Sequence, residues 1–120
     1  MINKKDIISE LRKRFPDFLI NADYSEEELI YPIFGDFARY IIQKFKEDNK
    51  QELSNIFNFI ETLHTDADDF IKEASTIGIL EGLQNINEIE EREINIYLGK
   101  ASLEYWQRLN DFWNKKRKTI

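Results

Sequence analysis

Apolar residues between positions 34 and 45 recur every three or four residues, and no other feature constrains the fold of this chain as strongly. The apolar positions are Phe34, Phe37, Ala38, Ile41, Ile42 and Phe45. A helix of about 3.6 residues per turn brings these positions onto one face, whereas a strand would divide them between two faces. The spacing therefore predicts a helix with a single buried stripe.

A second run with the same periodicity follows a short polar connection, Glu47 to Gln51. Its apolar members are Leu53, Ile56, Phe57, Ile60 and Leu63. Connections of this length join neighbouring antiparallel helices. The two runs together predict an αα-hairpin.

The regions on either side of the hairpin also favour helices. A helix from about Asn3 to Arg14 is indicated, and it stops near Pro16 because the residue before a proline is disfavoured in the helical conformation. A wide apolar arc over about Asp68 to Leu83 indicates a central, heavily covered helix. The arc consists of Phe70, Ile71, Ala74, Ile77, Ile79, Leu80 and Leu83. Gly78 in its interior is tolerable if a neighbouring backbone or aromatic ring packs against the missing side chain.

The C-terminal third begins with a polar, acidic link, predicted over Asn85 to Asn95. A short helix through Ile94, Tyr97 and Leu98, closed by Gly99, is expected next. The last helix starts at about Ser102 and ends in the basic run Lys115 to Lys118, where cations complement the helix dipole. The large aromatic residues on this helix have two interpretations, core packing or a partner-binding anchor. They are Trp106, Phe112 and Trp113.

The stretch from Asp66 to Leu83, after the second helix of the hairpin, resembles the second half of a HEAT repeat. The resemblance rests on an acidic helix start at Asp69, the pair Ile71-Lys72 and then Ala74. With 4 Gly and 2 Pro among 120 residues, the chain also lacks the turn residues that hairpin-rich β folds use. The fold is therefore predicted to be all-α, an antiparallel bundle of five or six helices with HEAT-like packing. Residues 1–120 form one domain in this prediction.

Most of the chain is similar to a family of small uncharacterised bacterial helical proteins. The similar segments are the run Gly35-Asp36-Phe37-Ala38, the run from Glu73 to Asn85, the pair Leu98-Gly99, Trp106, and the pair Phe112-Trp113. Small acidic helical proteins of this kind also resemble the immunity proteins of bacterial toxin systems. The resemblance implies binding of a partner protein and no particular chemistry.

The charge balance bears on which partners are compatible with the chain. Its 17 basic and 23 acidic residues give a formal net charge of -6, a sign that repels phosphate backbones and anionic lipid. A basic protein partner is favoured, with no nucleic acid and no membrane, and the oligomeric state is left open. Neither a signal peptide nor a membrane-spanning run is indicated, so a cytoplasmic location is expected.

The residues that enzymes use are largely missing. No Cys is present, and His64 is the single histidine. A histidine at a helix end, favourable with the helix dipole, is the preferred interpretation over a metal ligand or general base. The acidic run from Asp66 resembles the opening of a calcium loop, but Ile71 and Ile77 stand where such a loop needs Gly and Glu. We therefore predict no enzymatic activity, no catalytic residue, no metal site and no cofactor.

The acidic residues are instead the candidate binding residues. Besides Glu26 to Glu28, they form two clusters with a predicted role in partner binding: Asp66, Asp68, Asp69 and Glu73, and Glu88, Glu90, Glu91 and Glu93. If the clusters converge in space, their field steers a cationic partner; if they scatter, they mainly keep the protein soluble. The leading hypothesis is an immunity protein that neutralises a basic, nuclease-like toxin by occlusion. The alternative is a helical adaptor or scaffold subunit of a larger assembly, with a homodimer as one form.

Overall fold

The architecture is all-α, as predicted from the sequence. A computed structural model describes residues 1–18 and 29–118. The acidic stretch Glu26 to Glu28 lies outside the described residues. The helices are α1 Lys4–Arg14, α2 Ile30–Lys46, α3 Lys50–Thr65, α4 Asp69–Ala74, α5 Glu81–Ile86, α6 Glu91–Asn95 and α7 Lys100–Lys118. A π-helical segment, Ser75–Leu80, joins α4 to α5.

The segments α4, Ser75–Leu80 and α5 form one continuous helical body, because the residues at both junctions keep right-handed helical angles. Counted in this way, the described part of the chain contains six helical bodies, which agrees with the prediction of five or six. No helix in that part is both long enough and apolar enough to cross a membrane.

Local hydrogen bonds explain where several helices begin. The Asn3 side chain accepts from the backbone N–H of Lys5 at 2.9 Å and forms a reciprocal capping box with Asp6. Asn49 caps α3 in a similar way by accepting from Glu52 N at 3.1 Å. These side chains satisfy backbone donors that a helix start otherwise leaves without partners.

The apolar stripes of α2 and α3 meet in one core, as the hairpin prediction required. Five of the six stripe positions on α2 and all five on α3 are buried, and only Phe45 on α2 is partly exposed. The largest fully buried side chains are aromatic: Phe15, Phe34, Phe37, Phe57 and Phe59. Phe15 lies 5.2 Å from Phe37 and 5.5 Å from Phe59, measured between ring centroids, so the residue that ends α1 contacts both helices of the hairpin.

The continuous helical body crosses α2 at a very short distance, at the position where the sequence predicted a close neighbour. A Cβ atom added to Gly78 would lie 2.7 Å from Cβ of Phe34. The prediction of a wide buried arc is wrong at Ile77, which is 41% exposed. The π-helical segment accounts for this difference, because its wider turn rotates the faces away from the regular 3.6-residue pattern.

The predicted boundaries near the C-terminus need two corrections. The expected polar link over Asn85 to Asn95 contains a helix, α6, and the expected short helix through Tyr97 and Leu98 ends at Asn95. Tyr97 and Leu98 follow in a turn and pack partly buried against the core. Ile94 is the one buried residue of α6, so this helix has a single apolar anchor.

Candidate protein-binding surfaces

The first acidic cluster lies around the start of α4, and one of its residues has a structural role. Asp68 caps the helix, since its Oδ1 accepts from the backbone N–H of Ile71 at 2.9 Å. Asp66, Asp69 and Glu73 are exposed around it. Three carboxylates of this cluster are therefore accessible to a partner, while Asp68 is committed to the fold.

The second acidic cluster surrounds the start of α6 and is partly neutralised within the protein. Glu88 pairs with Lys46 of α2 at 3.1 Å, and Glu90 pairs with Arg92 at 2.6 Å. All of these side chains are half exposed or more, so solvent screens the pairs and they contribute little to stability. Glu93 is exposed beside them. The cluster remains negative overall, and its pairs can exchange with the charges of a partner.

The two clusters do not converge. They lie at opposite ends of the helical body formed by α4, the π-helical segment and α5, which spans roughly 25 Å at about 1.5 Å per residue. The Debye length at physiological salt is about 8 Å, so the two fields act separately. A partner small enough to bind one end of this body is steered by one cluster alone.

A groove opens beside the second cluster, between α5, α6 and the C-terminal half of α7. Its volume is about 760 Å³. The apolar part of its lining consists of Leu83, Ile89, Ile94, Trp106 and Trp113. The polar part consists of Gln84, Asn85, Asn87, Glu91, Asn110, Asn114 and one cation, Lys116. This volume is in the range of pockets that bind small ligands or short peptide segments.

Glu91 holds the walls of the groove together. Its Oε1 accepts from Nε1 of Trp106 at 2.9 Å and from Nδ2 of Asn110 at 2.6 Å. Gln84 of α5 donates in turn to Oδ1 of Asn110 at 3.2 Å. This network fixes the positions of α5, α6 and α7. Glu91 thus differs from the other members of its cluster in having a structural role, which the sequence alone did not indicate.

The aromatic residues of α7 divide between core and surface. Trp106 is 2% exposed, which agrees with the core interpretation. Phe112 is 52% exposed, so core packing is wrong for this residue. Trp113 is half buried in the groove wall, and its Nε1 is enclosed without a hydrogen-bond acceptor among the described residues. An enclosed donor of this kind is uncommon in folded proteins and destabilises the site until an acceptor is present.

His64 lies in the last turn of α3, as expected, and its side chain is buried. Its Nδ1 is 2.8 Å from the carbonyl oxygen of Ile60, and its Nε2 is 3.1 Å from Oγ1 of Thr76 in the π-helical segment. The ring also packs against Tyr105 at 4.9 Å. Within residues 1–18 and 29–118, no group of three His, Cys, Asp or Glu side chains is placed to hold a metal ion.

The burial of His64 predicts a pH dependence of stability. Burial and the nearby Lys72 lower the pKa of His64, and these effects exceed the opposing ones of the Ile60 carbonyl and Glu61. The unfolded chain therefore takes up this proton at a higher pH than the folded chain. The contribution of His64 to the free energy of unfolding should be complete well above pH 6.5, the ordinary value for histidine, and should fall as the pH drops through that value toward the lowered pKa of the folded chain.

Urea denaturation between pH 7.5 and pH 5 tests this expectation, with the His64→Gln variant as the control. The variant lacks the titrating group and should show a flatter profile over that interval. Equal slopes for the two proteins would show that His64 does not carry the pH dependence.

The fold and these surfaces define an all-α helical-bundle protein with a mixed polar and apolar groove at one end. A family model described as Domain of unknown function (DUF7674) matches residues 7–114, and the chain belongs to this family. This match confirms the predicted membership of a family without an assigned function. No curated protein and no solved structure matches the chain significantly.

Proposed function

We propose that the chain is a non-catalytic protein-binding domain, and specifically an immunity protein that occludes a basic, nuclease-like toxin. The observation that carries this proposal is the position of the second acidic cluster at the edge of the groove. Glu91 belongs to the cluster and also lines the groove, Glu90 directly precedes it, and Glu88 stands three residues before it in the sequence. A negative rim beside a concave, partly apolar surface suits a cationic partner.

The two parts of this surface have different tasks in binding. The exposed carboxylates of Glu88, Glu90 and Glu93 accelerate the encounter and select partners by charge. Trp113 provides apolar area in the groove wall, which Glu91 of the second cluster also lines, and buried aromatic anchors supply most of the affinity in protein interfaces. Inhibition is then stoichiometric, because a bound partner is covered and nothing is turned over.

The environment of His64 supports a function without catalysis. Both ring nitrogens have partners inside the protein, Ile60 and Thr76, and the side chain is 4% exposed. A general base has to reach a proton on a substrate, and a histidine held in this way has no free nitrogen to do so.

A helical adaptor within a larger assembly is the second candidate, and the exposure of Phe112 favours it. An aromatic side chain that is 52% exposed at the surface of α7 is suited to apolar docking. Apolar docking depends little on screened charges, so this function predicts a complex that survives moderate salt. Complete dissociation between low and moderate salt would count against the adaptor.

Co-expression with a basic, toxin-like protein, sought among the products of the neighbouring genes, tests the immunity function. We expect growth rescue and a stable complex. Replacing the three exposed acids of the second cluster (Glu88→Gln, Glu90→Gln and Glu93→Gln) should slow association about tenfold or more at low salt. Glu91 is left unchanged because it supports the groove.

The first acidic cluster provides a matched control. The changes Asp66→Asn, Asp69→Asn and Glu73→Gln remove the same number of charges at the other end of the helical body, and Asp68 is kept as the cap of α4. This variant should associate at close to the unmodified rate. Growth rescue without a complex, or no rescue at all, would exclude the immunity function. Equal loss in both variants would exclude the groove end as the binding surface.

A further inference from the structure

The groove between α5, α6 and α7 carries polar groups of an unusual kind for a docking surface. Carboxamides predominate in its polar lining. The side chains of Gln84 and Asn110 are hydrogen-bonded to each other and partly buried, whereas Asn85, Asn87 and Asn114 are exposed. Each carboxamide offers two N–H donors and a carbonyl acceptor side by side. A ligand that fits these three residues presents donors and acceptors in alternation.

Trp113 adds a donor that the protein itself does not use. Its Nε1 is enclosed within the groove wall and has no acceptor among the described residues. Leaving a buried donor without an acceptor destabilises the protein. A ligand reaches this N–H only when the side chains that cover it move aside, and a carbonyl oxygen of the ligand then removes this penalty. The indole therefore contributes to affinity only when the ligand carries an acceptor.

Glu91 adds a negative charge that is held in a fixed position. Both of its hydrogen bonds, from Trp106 and Asn110, go to the same oxygen, Oε1. We assign the second oxygen, Oε2, to the ligand. A carboxylate that is already oriented by two donors loses little side-chain entropy when it binds a cation. Glu88 and Glu90, just before it, are paired with Lys46 and Arg92 through exposed ion pairs, which can exchange with the cation of a ligand at the same edge. Lys116 lines the groove as well, so the cation of the ligand is placed by Glu91 rather than by a uniformly negative surface.

We infer that the groove binds an extended, lysine- or arginine-containing peptide segment of the basic partner. An extended backbone presents alternating N–H and C=O groups to Asn85, Asn87 and Asn114, and a carbonyl to Trp113. A helical segment would satisfy those groups internally and leave the carboxamides unused. An oligosaccharide also alternates donors and acceptors, but it has no positive charge for Glu91. The inference rests on the proposed function, because it names the part of the partner that enters the groove.

The probe is a short peptide of alternating Lys and Thr, blocked at both ends, because β-branched residues favour the extended backbone. The readout is the pair of indole N–H signals in a ¹H–¹⁵N spectrum of the whole chain. The chain has only 2 Trp, and Trp113→Phe assigns the two signals. We expect the Trp113 signal to move as its N–H gains an acceptor. The Trp106 signal should move much less because that N–H already donates to Glu91.

Variants and matched peptides separate the contributions. The pair Asn85→Ala and Asn114→Ala should weaken peptide binding about fivefold or more, as loss of one or two hydrogen bonds implies. Gln107→Ala is the control, since this exposed residue of α7 does not line the groove. A peptide of the same sequence with N-methylated backbone, and one with Glu in place of Lys, should both fail to bind.

Several results would overturn the inference. These are an unmoved Trp113 signal at millimolar peptide, equal binding of the N-methylated peptide, or a response to a neutral oligosaccharide in place of the peptide. If the intact basic partner forms its complex while the peptide does not bind, the peptide site is wrong and the proposed function stands. If the peptide binds with these requirements and co-expression gives no rescue, the site stands and the immunity function is wrong.

Discussion

Replacing Glu61 with alanine is expected to lower the free energy of unfolding by about 3 kcal/mol, because this residue caps a helix to which it does not belong. Glu61 lies on α3, and its two carboxylate oxygens accept from the backbone N–H groups of Ala101 and Ser102 at 2.8 and 2.9 Å. The Ser102 hydroxyl also donates to Oε1, at 2.8 Å. The variant leaves the start of α7 without these partners, and Ser102 is fully buried.

The measurement is equilibrium urea denaturation at neutral pH, with Glu104→Ala as the control. Glu104 is an exposed acid of α7 that pairs with Arg108 one turn later, and its loss should change stability by less than about 1 kcal/mol. A similar small effect for Glu61→Ala would show that the carboxylate is not the main attachment of α7 to α3.

The same cap predicts an acid sensitivity. Burial raises the pKa of Glu61, but the hydrogen bonds from Ser102 and Ala101 outweigh it, so the pKa lies below the ordinary value of 4.5. The stabilisation is therefore complete above that value and is lost as the pH falls below it. The Glu61→Gln variant should lose less stability over this acid range than the unmodified chain.

The helices of the hairpin could be predicted from the sequence because each buries a continuous stripe. Ile41 on α2 and Ile60 on α3 are fully buried at the positions that the 3.6-residue pattern assigns to the core. The same pattern failed at Ile77, because a π-helical turn changes the direction of a side chain without changing the order of residues. The spacing of apolar residues along the sequence does not show where a helix changes its pitch, so the π-helical turn could not be predicted from it.

The groove and its supporting contacts could not be predicted, because they join residues that are far apart in the sequence. Glu61 caps α7 across 40 positions, and Glu91 bonds Trp106 and Asn110 across 15 and 19 positions. Rules for helix starts look for a cap within a few residues, so the start of α7 was placed too late. The acidic cluster itself was visible in the sequence, but the distinct structural role of Glu91 required the positions of α6 and α7.

The Gly78→Ala variant is expected to lower the free energy of unfolding by about 2 kcal/mol, although alanine is the better helix former by about 1 kcal/mol. The added Cβ would lie 2.7 Å from Cβ of Phe34, a fully buried residue near the start of α2. Neither atom is at the end of a flexible side chain, so α2 and the helical body have to move apart. That movement loses core contacts along the whole crossing.

Two other glycines make the test a graded series measured by thermal and urea denaturation. A Cβ at Gly82 would lie 3.2 Å from Cβ of Ala38, and one at Gly35 would meet only the Arg39 guanidinium, at an ordinary contact distance of 3.8 Å. Gly35→Ala should therefore gain up to about 1 kcal/mol from helix propensity alone, and Gly82→Ala should fall between the other two. If Gly78→Ala proved as stable as Gly35→Ala, the close crossing of α2 by the helical body would be wrong. All three variants replace Gly with Ala and so gain the same helix propensity. Differences in stability between them therefore report the packing of the added Cβ, and we expect their order to follow the Cβ distances.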